Sequence, residues 1–358
     1  MASPIRTVAV TGASGYIGSF VVAELLRRGY NVHAPVRNSS KNPTKVQHLV
    51  SLPNASKLRI FDGGDLEVRG SFDTAFRDCD AVIHTAAEVV IGAQQSIIRA
   101  SVDGTNNVLS SVDNARNCTR FVQTSSIAAI QTYDKPPGYI FSESDWNDWS
   151  TVEKGDAYGV AKTAAERMVH KHFENDKERF CVCLNPGVVI GPVFTKAHTK
   201  ASPIFLREII FGNKVMNFPT TYVDVRDVAL AHVNAMERLP KVNDMRFILT
   251  NNENCLVNGA LDMAVIARRL FPDEDLEGCK PKYPEIIMSV ARPLSMLPLV
   301  GGLIMSDLER KAQSTPVEFD NKLAQDHLDM EFRPLEETIK EGIQSMVDLG
   351  FAKFKSKI

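Results

Sequence analysis

The stretch Thr7-Val-Ala-Val-Thr11-Gly12-Ala13-Ser14-Gly15-Tyr16-Ile17-Gly18 decides the fold. Its first five residues read as a buried strand. Ile17, Phe20, Val21 and Leu25 then recur at helical spacing. Between the two lie three glycines spaced three apart. One makes a tight turn, one lets the backbone approach a pyrophosphate, and one lets helix and strand pack closely. The free N–H groups of a helix N-terminus then face the anion. A glycine triplet alone is weak evidence, but here it sits in the strand–turn–helix context such a site needs. Gly12, Ser14, Gly15, Tyr16, Ile17 and Gly18 are therefore expected to cradle a dinucleotide.

Working outward, short apolar runs alternate with helical patterns. Strands are predicted at Thr7–Thr11, Asn31–Val36, Leu58–Phe61, Ala81–His84, Arg120–Thr124 and Phe180–Leu184. A second helix pattern runs through Val102, Val108, Leu109 and Val112. Strands alternating with helices imply βαβ units, a parallel sheet and right-handed crossovers with helices on both faces. After Pro186, Pro- and Gly-rich segments predict long loops. A helix over Asp227–Leu239 and a strand over Met245–Thr250 suggest a return to the sheet, and a last helix is predicted over Pro334–Leu349. The expectation is an α/β, doubly wound parallel sheet, with residues 1–185 and about 221–250 binding a dinucleotide. Residues 186–220 and 251–358 would form a smaller C-terminal substrate lobe.

Composition narrows the function. Of 358 residues, 44% are hydrophobic and 23% charged, which suits a large packed core. Lys and Arg total 41 against 43 Asp and Glu, a net charge of -2 without the basic excess of a nucleic-acid binder. Six Cys (79, 118, 181, 183, 255 and 279) include no Cys-x-x-Cys pair and read as reduced thiols in a cytoplasmic protein. No metal site is expected, since the eight His show no zinc spacing. Met1–Arg6 runs straight into the first strand without a secretory signal pattern. The apolar stretch 287–305 is interrupted by Arg292, Pro293 and Pro298, and reads as a buried or pocket-covering segment, with a membrane-surface contact the lesser alternative.

The end of the second strand selects the cofactor. An NAD site usually places Asp or Glu there for the ribose hydroxyls. This chain has Val36-Arg37-Asn38-Ser39-Ser40-Lys41. Arg37 can hold a 2′-phosphate through its planar fork and Lys41 adds charge, so NADP(H) is expected. Asp65, after the third strand, could accept from the adenine amino group.

Tyr158-Gly-Val-Ala-Lys162 opens another helix pattern. Residues at i and i+4 share a face, so phenol and ammonium are neighbours. A free Tyr has a pKa near 10, and a cation a few Å away favours its phenolate. A Tyr tuned in this way can exchange a proton with a carbonyl or alcohol oxygen. Thr124-Ser125-Ser126 closes the fifth strand, at the edge where such sheets bind ligands. Ser126 could orient the substrate oxygen, with Ser125 the competitor for that role.

At these residues the chain resembles the extended short-chain dehydrogenase/reductases, with their Rossmann-type fold. Further matches are Asp80-Ala-Val-Ile-His-Thr-Ala-Ala87, Gly104-Thr-Asn-Asn107, Asn185-Pro-Gly-Val-Val-Ile-Gly-Pro192 and Tyr222-Val-Asp-Val-Arg-Asp227. Within that family it looks most like the dihydroflavonol reductase and cinnamoyl-CoA reductase branch. The evidence is Val32-His-Ala-Pro-Val-Arg37, Gly70-Ser-Phe-Asp73, Phe121-Val-Gln-Thr-Ser-Ser126, Tyr158–Glu166 and Pro334-Leu-Glu-Glu-Thr338. The resemblance implies catalytic roles for Ser126, Tyr158 and Lys162, with Asn107 supporting a proton relay. It also implies that Leu66, Thr85, Ala86, Ala87 and Thr124 flank the cofactor and that Pro186, Gly187 and Val188 line its nicotinamide. The activity it implies is NADPH-dependent reduction of a small ketone or aldehyde, by an enzyme that could pair as a homodimer. The chain departs from the branch in two places. Lys154-Gly-Asp-Ala-Tyr158 stands where cinnamoyl-CoA reductases read Asn-Trp-Tyr-Cys-Tyr, and Gln131 stands where dihydroflavonol reductases have Asn. The alternatives are a 3β-hydroxysteroid-type dehydrogenase, to which the 287–305 stretch bears a loose likeness, a nucleotide-sugar epimerase or dehydratase, and a catalytically silent dinucleotide sensor.

Overall fold

A computed structural model of the chain describes residues 5–87, 94–215, 217–251, 256–276, 279–281 and 316–354. The 287–305 stretch lies outside them, as do residues 88–93.

Seven parallel strands form the central sheet: β1 (Thr7–Thr11), β2 (Asn31–Val36), β3 (Leu58–Asp62), β4 (Ala81–His84), β5 (Arg120–Thr124), β7 (Phe180–Pro186) and β10 (Met245–Leu249), in the order β10-β7-β5-β4-β1-β2-β3. Between them in sequence lie the two-residue β6 (Ile140–Phe141) and the short β8 (Val188–Ile190) and β9 (Tyr222–Asp224). Side chains alternate across each strand, so one run of residues feeds two cores. Val8, Val10, Ala81, Ile83, Val122, Val182 and Leu184 pack on one face, against α1 (Tyr16–Arg27) and a late helix over Val225–Arg238. Ala9, Val82, Phe121, Cys181 and Cys183 pack on the other, against α4 (Gln94–Asn114) and α5 (Ala157–Phe173). The one-residue spacing of Cys181 and Cys183 is thereby explained: both face the second core as small apolar side chains. Burial pushes the Cys181 thiol up to about 12 and Cys183 well above its ordinary value, so both stay protonated.

The described residues after Pro186 hold more regular structure than their Pro and Gly content suggests. β8 pairs in parallel with β9, a strand too short to show a period-2 pattern. Two short helices, α2 (Gln47–Val50) and α3 (Asp73–Phe76), flank β2 and β4 in sequence, and α6 (Ile204–Ile210) precedes β9. The Val225–Arg238 helix, α7, leads into β10. Beyond it come α8 (Ala260–Leu270), β11 (Glu318–Phe319), which pairs with β6, α9 (Lys322–Leu328) and α10 (Leu335–Asp348). α10 packs on α6 and α8. No described helix is long and apolar enough to cross a membrane.

Strand order reverses between β1 and its neighbours β2 and β4, so connections leave in opposite directions there and open a crevice at the strands' carboxyl ends.

Candidate active site

A cleft of about 1260 Å³ follows that crevice from the first βα turn to the start of α5. At one end lies the glycine loop. Gly12 has φ +66°, and a Cβ on it would sit 2.8 Å from the Ala86 amide nitrogen. A Cβ on Gly18 would meet the Gly12 carbonyl oxygen at 2.2 Å. Neither position admits a side chain without moving backbone. α1 begins with no side-chain cap and no acid in its first turn, so the protein offers its leading N–H groups to an outside anion. The loop is braced from β4, where Thr85 Oγ1 donates to the Thr11 carbonyl at 2.7 Å and the Ala86 N–H donates to Thr11 Oγ1 at 3.2 Å.

At the adenosine end, Arg37 lines the cleft, its guanidinium 3.5 Å from Asp65. Lys41 does not border the cleft; Lys45 does. Asn38, at φ 55°, turns the chain back on itself, and Lys45 Nζ donates to the Arg37 carbonyl at 3.0 Å. A cation eight residues from Arg37 carries no sequence period to reveal it. Asp65 faces Arg37 and is not a lining residue, whereas Leu66 beside it is.

At the reaction end, Tyr158, Lys162, Ser125, Ser126, Thr124, Pro186, Gly187 and Val188 all line the cleft, as do Thr85, Ala86 and Ala87 along its middle. Tyr158 is 53% exposed, and Lys162 Nζ lies 5.8 Å from its ring centre. Asp156 caps α5 by accepting from the Gly159 N–H at 3.0 Å, and its other oxygen accepts from Ser150 Oγ. Asn147 Nδ2 donates both to that hydroxyl at 2.8 Å and to the Ala128 carbonyl at 2.7 Å. This buried chain ties the start of the Tyr158 helix to the turn that carries Ser126.

The two serines differ in what their hydroxyls do. Ser125 Oγ donates to the buried Glu166 carboxylate. Ser126 Oγ accepts from the Ala128 N–H at 3.1 Å, and its own proton has no acceptor among the described residues. Asn107 lies off the cleft. Its Nδ2 donates to the Leu66 carbonyl at 2.8 Å and so braces the loop after β3.

Sequence reasoning missed the lining residues Phe205, on α6, and Tyr133, Thr195, Lys196 and Phe218, which come from irregular segments. The 194–198 segment is seated on the glycine-loop helix: Phe194 stacks on Phe20 at 4.2 Å, and His198 Nε2 lies 3.4 Å from the Ser14 carbonyl. Two imidazoles beneath the cleft are held neutral by burial. His84, 2.6 Å from Thr11 Oγ1, is lowered to about 3, and His232, 2.7 Å from Thr124 Oγ1, to about 4. Trp149 is buried and meets the Tyr133 ring edge-on at 5.2 Å.

The family described as NAD dependent epimerase/dehydratase matches residues 8–246. A cinnamoyl-CoA reductase of Medicago truncatula is 33% identical over 97% of both chains. A dihydroflavonol 4-reductase of Arabidopsis thaliana is 31% identical, covering 80% of this chain and 72% of its own. Among solved structures, Candida albicans Gre2 in complex with NADPH superposes with a TM-score of 0.76 at 24% identity, over 96% of this chain and 99% of that one, which is a likeness of fold. With its glycine loop, its seven-stranded sheet and relatives matched over nearly its whole length, the chain belongs to the NAD-dependent epimerase/dehydratase family of extended short-chain dehydrogenase/reductases, in the branch of the dihydroflavonol and cinnamoyl-CoA reductases.

Proposed function

We propose that this protein is an NADPH-dependent reductase that converts a small ketone or aldehyde to its alcohol. One observation carries the reading. Tyr158, Lys162 and Ser126 border the same continuous cleft as the glycine loop and the Arg37 and Lys45 cations. The residues suit the dinucleotide: the loop has no room for side chains where a pyrophosphate would approach, and two cations, Arg37 and Lys45, border the cleft where a 2′-phosphate would lie. Relatives named as reductases of dihydroflavonols and cinnamoyl-CoA support the reaction class.

In this mechanism the bound reduced nicotinamide supplies the hydride. Pro186, Gly187 and Val188 would lie along the nicotinamide, and Gly12–Gly18 and Arg37 with Lys45 would hold the pyrophosphate and the 2′-phosphate. Ser126 Oγ–H donates to the carbonyl oxygen and fixes it against Tyr158. Tyr158 gives that oxygen its phenolic proton, which completes the alcohol. Lys162, one helical turn on, keeps a positive charge beside the phenol as it becomes phenolate. The division that goes with this proposal would have residues 1–185 and about 221–250 carry the dinucleotide, and 186–220 and 251–358 the substrate. A cytoplasmic location fits the five free, buried cysteines among the described residues.

The test is turnover by purified protein of isovaleraldehyde, cinnamaldehyde, cyclohexanone and aromatic ketones, run in parallel with NADPH and NADH. NADPH consumption with alcohol formation supports the reading. No carbonyl reduced with either cofactor refutes it.

A further inference from the structure

Glu166 lies two helical turns beyond Tyr158 and one beyond Lys162, so the three share a face of α5. Tyr158 and Lys162 reach the cleft, whereas Glu166 is fully buried. A buried carboxylate is costly unless every lone pair is met. Here one oxygen pairs with the guanidinium of Arg246, itself 6% exposed, and the other accepts from Ser125 Oγ and from Asn185 Nδ2 at 2.8 Å. The second N–H of Asn185 donates to the Ser126 carbonyl at 3.1 Å. Arg246 also donates to the Ala129 carbonyl at 3.3 Å and to the Glu143 and Asp145 carbonyls, and lies 3.7 Å from the Trp146 ring centre.

These bonds converge from four elements. Glu166 belongs to the Tyr158 helix, Ser125 and Ser126 to the end of β5, Asn185 to the strand end leading into the nicotinamide wall, and Arg246 to β10. Resting on the functional reading above, we propose that Glu166 is a positioning residue for the reduction. Its ion pair with Arg246 and its bridge through Asn185 fix the distance between the Tyr158 phenol and the Ser126 hydroxyl. Glu166, Asn185 and Arg246 do not border the cleft. The network acts by holding the proton donor and the orienting hydroxyl on one carbonyl oxygen, a placement whose loss by about 1 Å can cost on the order of a hundredfold in rate. The carboxylate is needed as a charge, because an amide removes the ion-pair partner of Arg246 and weakens its hold on the Ala129 carbonyl.

The experiment compares Glu166→Gln and Asn185→Ala with the parent, using the best carbonyl substrate of the panel and NADPH. All are assayed at a temperature where circular dichroism shows each fully folded. The expected result is a fall in kcat of about tenfold or more in both variants, with KM for NADPH within about twofold and a larger primary isotope effect from 4-deuterated NADPH. A merely structural role would lower Tm and leave kcat and the isotope effect of the folded protein unchanged; that result overturns the proposal. Asn185→Ala keeps the ion pair intact, so it decides the matter alone should Glu166→Gln fail to fold. A parent that reduces no carbonyl removes the functional reading and this inference with it. An active parent with unaffected variants removes only the inference.

Discussion

Replacing each serine of the Ser125-Ser126 pair by alanine separates two roles that the sequence leaves merged. In Ser126→Ala the lost group is the O–H that would donate to the carbonyl oxygen as negative charge develops there. One such donor is worth about 2.7–4 kcal/mol in the transition state, a fall in kcat of roughly 10²–10³. The same change removes the acceptor for the Ala128 N–H, which caps a single short turn and costs about 1 kcal/mol of stability. In Ser125→Ala the lost bond is to a buried carboxylate, worth about 1.5–3 kcal/mol, and it is lost from stability. Glu166 keeps Asn185 and Arg246, so the positioning network holds and kcat falls by less than about tenfold. Steady-state kinetics with saturating NADPH, together with thermal unfolding of both variants, measures the two effects. A larger kcat loss in Ser125→Ala than in Ser126→Ala would show that the hydroxyl proton has been assigned to the wrong residue.

Tyr158→Phe should lower kcat by about 10²–10⁴ while fluorescence titration shows NADPH binding within about twofold of the parent. Arg37→Ala and Lys45→Ala should each reduce the NADPH-over-NADH ratio of kcat/KM by about tenfold or more, and Lys41→Ala should leave it unchanged. Gly18→Ala would drive a Cβ against the Gly12 carbonyl, so NADPH binding should be lost and Tm should fall, by about 1–3 kcal/mol of stability. His232 and His84 have folded pKa values of about 4 and about 3, below the 6.5 of a free imidazole, because burial disfavours their charged forms. The unfolded chain therefore binds more protons below pH 6.5. Their stabilisation is complete above that pH and is lost as pH falls toward 4, at up to about 1.4 kcal/mol per unit for each imidazole. Unfolding followed from pH 7 to 4.5 should show this slope, and His232→Leu should flatten it by about one proton's worth.

The sequence by itself determined the parallel sheet and the face of the cleft. Thr7–Thr11, Asn31–Val36, Ala81–His84 and Arg120–Thr124 fold with the bounds their apolar runs predict, because a strand buried on both faces must be apolar throughout. The glycine loop and the Tyr158–Lys162 pair were legible for the same kind of reason, since local geometry dictates both residue type and spacing. Tertiary structure decided what depends on which segments meet. It replaced Lys41 by Lys45 beside Arg37, since the turn at Asn38 reverses the chain. It set the Asn107 amide on a loop carbonyl and paired Asp65 with Arg37. It also separated Ser125 from Ser126 through a carboxylate 41 residues away. Hydrogen bonds and ion pairs between distant residues leave no period in a sequence, because their partners are neighbours only after the strands and helices have packed.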